Sequence, residues 1–259
     1  MTPLATLTEA LASGRVRVID LTHTLDPDFP VIVLPAEFGQ CARFRMDEVS
    51  AYDHRGPAWK WHNLSMSEHT GTHFDAPIHW VTGRDVAKGS TDAIDPAAFV
   101  GPVCVIDCAQ GAAENEDFIL EPAHIAAWEA EHGPIPPGAW VLMRTDWSHR
   151  HGAAYLNLKD DGAHSPGPSP AAIRALLARG ITGFGTECVG TDAGQAAHFD
   201  PPYPAHALLH GAGKYGLQCL KNLDKLPPTG AVLICPPLKI KGGTGSPLRV
   251  LALVEEETP

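Results

Sequence analysis

The sequence predicts a mixed α/β or α+β chain folded as one domain over residues 1–259, and three observations carry that reading. Short apolar or alternating runs read as strands, and helices with clear start and stop residues lie between them. The 24 prolines and 25 glycines punctuate long connections rather than the elements themselves. A chain of 259 residues is also long enough for one substantial core.

Taken in order, Leu4 to Ala12 reads as a short amphipathic helix closed by Ser13-Gly14. Val16 to Leu21 alternates into a strand, and Asp26 to Pro35 is a proline-rich irregular connection. Val100 to Asp107 and Trp140 to Arg144 read as strands on either side of a helix from Pro122 to Glu131, with proline at its start and Gly133 beyond its end. A second helix spans Ser169 to Arg179, with Ser169 as N-cap, Pro170 in the first turn and Gly180 as the stop. It feeds a strand from Ile181 to Gly185, and Ala231 to Cys235 and Arg249 to Val254 are two late apolar strands.

Composition sets the class of partner. The 19 basic and 30 acidic side chains give a net charge of −11, which argues against nucleic acid, because phosphate binding needs a cationic face. No apolar run approaches the roughly eighteen residues of a membrane span, and the first residues lack the basic and apolar regions of a signal peptide. A cytoplasmic enzyme is expected. Six scattered cysteines without a Cys-x-x-Cys pair read as buried reduced thiols. Fourteen histidines raise the expectation of a metal, and spacing has to decide it.

The run Ser67-Glu-His-Thr-Gly-Thr-His-Phe-Asp-Ala-Pro-Ile-His79 is the densest cluster of possible ligands. His69 and His73 stand four apart, but Gly71 between two threonines, and Pro77 soon after, favour a bend followed by an extended piece. In an extended piece His73 and Asp75 point to one side, roughly 7 Å apart at Cα, so both can reach one ion. His79 would arrive across the proline turn. No His-Glu-x-x-His zincin pattern is present.

This run resembles the His-x-Gly-Thr-His-x-Asp-x-Pro-x-His signature of the cyclase family of metal-dependent hydrolases, which includes bacterial kynurenine formamidases and isatin hydrolases. The resemblance extends over most of the chain, through Asp20-Leu-Thr-His23, the block from Tyr203-Pro-Ala-His206 to Asn222-Leu223, Pro237-Leu-Lys-Ile and Gly245-Ser-Pro-Leu-Arg249. It implies the swivelling β/β/α fold, a mixed sheet flanked by helices, and a homodimer or higher homo-oligomer. It assigns His69, His73 and Asp75 as metal ligands and His79 as the catalytic histidine. Twelve residues after His206 the formamidases carry glutamate as a further ligand. Here the position is Gln218, as in isatin-hydrolase-like members.

That glutamine bears on the metal count. With only Asp75 among the implied ligands carrying charge, a second divalent ion would be poorly compensated in a low-dielectric site. One divalent ion, Mn²⁺ or Zn²⁺, is therefore expected on His69, His73, Asp75 and Gln218. His206 then becomes a group that contacts the substrate or supports a metal ligand from behind. Trp80, Trp59 and Trp61 flank the signature and can wall a flat aromatic pocket.

The expected reaction is hydrolysis of the C–N bond of a cyclic amide such as isatin, giving isatinate, with His79 as the base. The resemblance also leaves open an arylformamidase acting on N-formylkynurenine and a lactone or γ-lactam hydrolase. A metal-binding or ligand-binding module without turnover is the reading from a different class. The Lys241-Gly-Gly-Thr-Gly-Ser246 run lacks Walker spacing and reads as a turn before a strand, and Asp192 as a residue that shapes the site.

Overall fold

A computed structural model describes residues 1–256. The chain opens with helix α1 (Pro3–Ala12), capped by the Thr2 hydroxyl on the Ala5 amide, and strand β1 (Val16–Asp20). A long antiparallel hairpin follows, β2 (Arg45–Asp53) and β3 (Gly56–Ser65), and then the three-residue strand β4 (His73–Asp75). Next come β5 (Val100–Asp107), helix α2 (Pro122–His132), β6 (Trp140–Arg144), helix α3 (Pro170–Ala178) and β7 (Gly183–Thr186). The chain ends with β8 (Tyr215–Gln218), β9 (Ala231–Ile234), β10 (Gly245–Pro247) and β11 (Leu251–Glu255).

Nine of these strands form one mixed sheet in the order β1-β11-β9-β5-β6-β7-β8-β4-β10. Its centre, β5-β6-β7-β8, is parallel, which requires crossovers, and α2 and α3 supply two of them. Both flanks are antiparallel. This is the mixed α/β architecture the sequence predicts, a sheet with helices packed on it. No helix among the described residues is long and apolar enough to cross a membrane.

Period-two alternation builds a core on each face of the sheet. Val103, Val105, Trp140 and Leu142 pack on one side with Phe74 and Leu217. Cys104, Ile106, Val141 and Met143 pack on the other, against Ile125 and Trp128 of α2 and Ile173 and Leu176 of α3. Burying a ring such as Phe74, which has no exposed surface, is worth about 1.5–3 kcal/mol.

The predicted elements up to Arg144 appear within a residue of their expected bounds, and Ser169 caps α3 through the Ala172 amide at 3.1 Å. The hairpin β2–β3 has no counterpart in the sequence reading. Among the described residues it pairs only with itself, and Met46, Tyr52, Trp59, Trp61 and Leu64 on it are exposed.

Candidate metal centre and active site

The site follows from the alternation in β4. Phe74 turns into the core, so His73 and Asp75 face the opposite side of the sheet, as the extended reading requires. Ahead of β4 the chain bends at Gly71, whose φ of 65° suits glycine, and this bend returns His69 beside Asp75. On the neighbouring strand β8, Leu217 also turns into the core. Gln218 lies in register with His73, and Gly216 with Asp75. Gln218 is a buried strand residue.

Asp75 is the hub and has no exposed surface. Its Oδ1 lies 2.7 Å from His69 Nδ1 and 3.5 Å from His73 Nε2. Its Oδ2 accepts from the Gln218 amide and lies 3.6 Å from His206 Nε2. His73 Nδ1 donates to the Gly71 carbonyl at 2.7 Å, which leaves Nε2 to face Asp75.

The set fits a metal ion. One donor atom from each of His69, His73 and Asp75 lies within 4.8 Å of the others, and the set is nitrogen and oxygen without thiolate. The crowding of an amide and two imidazoles on one buried carboxylate is what a cation between them would organise. Asp75, His206 and His210 form a second group of the same compactness that shares Asp75.

The electrostatics separate the histidines. Burial opposes ionisation of Asp75, yet the surrounding histidines His79, His69 and His73 hold its carboxyl well below the ordinary range. Burial pushes His79 down to about 3, against the attraction of Asp75. Burial also lowers His73, and takes His210 to about 4. His206 moves the other way. Burial would lower it, but Asp192, 2.5 Å from its Nδ1, raises it.

His79 follows Pro77 in a single helical turn and stacks on His69 with ring centroids 3.9 Å apart. Trp80 packs on His206 at 4.9 Å and on Tyr203 at 5.7 Å. His206 comes from a π-helical segment, Ala205–Leu209, and Asp192 also accepts from the Ala205 amide at 2.6 Å, so Asp192 anchors that segment. The structure thus brings His69, His73, Asp75, Gln218, His79, His206 and Trp80 together. It places Trp59 and Trp61 on the hairpin, with 51% and 54% of their surface exposed. Neither makes an aromatic contact with the histidine cluster among the described residues.

Sequence reasoning missed His210, 1% exposed and 6.1 Å from the His79 ring. Its spacing of four from His206 was the available signal. It also missed Thr244 and Glu68, which contact His69 and each other. A third acidic group, Glu116, Asp117 and His164, is already engaged by Lys159, Asn157 and Asp161.

These features have close parallels. An isatin hydrolase of Roseibium aggregatum is 51% identical over 97% of both chains. Isatin hydrolase A from Labrenzia aggregata, solved with benzyl benzoate bound, superposes with a TM-score of 0.98 at 74% identity, over 98% of this chain and 100% of that one. An isatin hydrolase bound to the product analogue thioisatinate gives a TM-score of 0.97 at 50% identity, over 99% and 100%. The Cyclase family model matches residues 19–193. With that match laid over His69 to His79 and the likeness running the length of the fold, the chain belongs to the cyclase family.

Proposed function

We propose that this chain is a metal-dependent amidohydrolase that opens a cyclic amide such as isatin at its C–N bond, giving isatinate. The observation that carries the reading is Gln218 set in register against His73, so that a neutral amide, not a second carboxylate, joins His69, His73 and Asp75. One divalent ion, Mn²⁺ or Zn²⁺, suits that single negative charge. The 51% identity to an isatin hydrolase supports the substrate class.

When bound, the ion supplies Lewis acidity for the substrate carbonyl and lowers the pKa of water. The rest falls to the chain. His79, driven down to about 3 by burial, is neutral at pH 7, so its lone pair takes a proton from the attacking water and returns it to the departing ring nitrogen. His206, held through Nδ1 by Asp192, which raises its pKa, turns Nε2 toward the site, where it can meet a polar atom of the substrate. Trp80 offers a flat face to an aromatic ring.

We also infer a homodimer. A two-stranded hairpin is marginal alone, and the exposed Trp59 and Trp61, on one face of β3, support its packing on a second copy. Trp59 and Trp61 would then wall a pocket only across that interface.

The test combines metal analysis with a screen of isatin, N-formylkynurenine, γ-lactams and lactones. One ion per chain with isatin turnover is expected. Two ions with preference for the formamide would replace the reading with an arylformamidase, and no turnover on any carbonyl substrate would sink it.

A further inference from the structure

The glycine-rich run Lys241–Ser246 is a turn leading into β10, and the proposed reaction leaves it without a task. In the fold it closes over His69. Thr244 Oγ1 lies 2.9 Å from His69 Nε2 and 2.6 Å from Glu68 Oε2. The Thr244 amide reaches both oxygens of the same carboxylate at 3.3 Å. The next residue, Gly245, opens β10. A Cβ there would stand 2.5 Å from His69 Cε1 and 2.6 Å from the Phe74 carbonyl oxygen. The imidazole therefore rests against bare backbone with a hydroxyl on one of its nitrogens.

Valence fixes the direction of these bonds. A hydroxyl has one proton, and a carboxylate only accepts. Thr244 therefore donates to Glu68 and offers a lone pair to His69, so His69 Nε2 carries the proton and donates to Thr244. Nδ1 then faces Asp75 Oδ1, another acceptor, at 2.7 Å. A lone pair and a carboxylate oxygen at that distance need a positive charge between them, either a proton or a metal ion.

We propose that Glu68, Thr244 and Gly245 form a seat that fixes the ring plane and tautomer of His69 and presents its Nδ1 to the metal. The proposal rests on the metal reading above. His73 needs no such seat, because its own Nδ1 is fixed by the Gly71 carbonyl. Each imidazole is thus held through the nitrogen that does not face Asp75, one by local backbone and the other by a residue 175 positions away. Outer partners of this kind orient the ligand and raise its basicity, and Thr244 and Glu68 are positioning residues in that sense.

The experiment measures the Zn²⁺ dissociation constant of the full chain by chelator competition, for the wild type, Thr244→Val and Thr244→Ser. Valine keeps the volume and removes the hydroxyl, so binding should weaken about 10–100-fold, and serine should restore it to near the wild-type value. Nitrogen-15 spectra of the zinc-loaded wild type should show His69 protonated at Nε2. Equal affinity of Thr244→Val and wild type would overturn the proposal, as would failure of serine to rescue, or a His69 proton on Nδ1. A wild-type chain that takes up no zinc would overturn the metal reading itself, and this inference with it.

Discussion

His79 shows how much one side chain's surroundings decide. Stacked 3.9 Å from the His69 ring and pushed to about 3 by burial, it suits the proposed role of a base outside the ligand set. His79→Ala should therefore lose about 10²–10⁴ of turnover while binding metal as the wild type does. Equal loss of metal, measured by elemental analysis, would move it into the ligand shell. His210 makes a different point. Its folded pKa, about 4, lies below the ordinary 6.5, so its contribution to stability is present above pH 6.5 and is lost as pH falls toward 4. Between pH 7 and pH 5 that loss is at most about 2 kcal/mol. In chelated protein, His210→Asn keeps a donor for the Lys214 carbonyl, 3.1 Å from Nδ1, and should flatten the pH dependence of denaturant unfolding by up to that amount. An unchanged slope would show that His210 takes up its proton in the folded state as readily as in the unfolded one. The proposed ligands His69, His73 and Asp75 were legible because they are neighbours in sequence. Gln218 and His206 were legible only through the family register. Thr244 carries no local pattern and joins His69 only through tertiary structure.

At the scale of elements, legibility followed the strength of local signals. Helices α2 and α3 were visible because proline and capping residues mark their starts. Strands β5 and β6 were visible because both of their faces are buried and they read as apolar runs. The hairpin β2–β3 was not, since most of its side chains lie in solvent and impose no alternation. The strands that assemble the site were also hidden. β4 and β10 have three residues each, and their pairing is set by neighbours rather than by their own propensity. The closeness of that pairing can be tested at Gly245. Gly245→Ala sets a Cβ 2.6 Å from the Phe74 carbonyl oxygen, so β10 must shift away from β4, at a cost of about 1–3 kcal/mol. Denaturant unfolding should register that loss and metal uptake should fall with it, whereas Gly39→Ala, with no atom within 4 Å of its Cβ, should change neither.

For the whole molecule, the surface left over by the nine-stranded sheet sets the next prediction. Its core is closed on both faces, yet the hairpin projects Trp59 and Trp61 with more than half their surface in water, beside exposed Met46 and Leu64. Lone exposed apolar residues are ordinary, but Trp59 and Trp61, two apart on β3, share one face of a hairpin that pairs with no other strand among the described residues, and two such rings side by side are the kind of patch that marks an interface. A symmetric dimer would use each hairpin once against its twin and bury about 800 Å² per copy, a standard interface. Sedimentation velocity on the wild type should give twice the chain mass at micromolar concentration. Trp59→Glu combined with Trp61→Glu should give the chain mass, because two buried charges without partners cost several kcal/mol in an interface. The variant should still bind metal, since among the described residues the histidine cluster makes no aromatic contact with either tryptophan. Turnover then separates two designs. A monomer that keeps full activity has its pocket within one chain. A monomer that binds metal but turns over poorly borrows the tryptophan wall from its neighbour. A variant that stays dimeric would move the interface away from the hairpin.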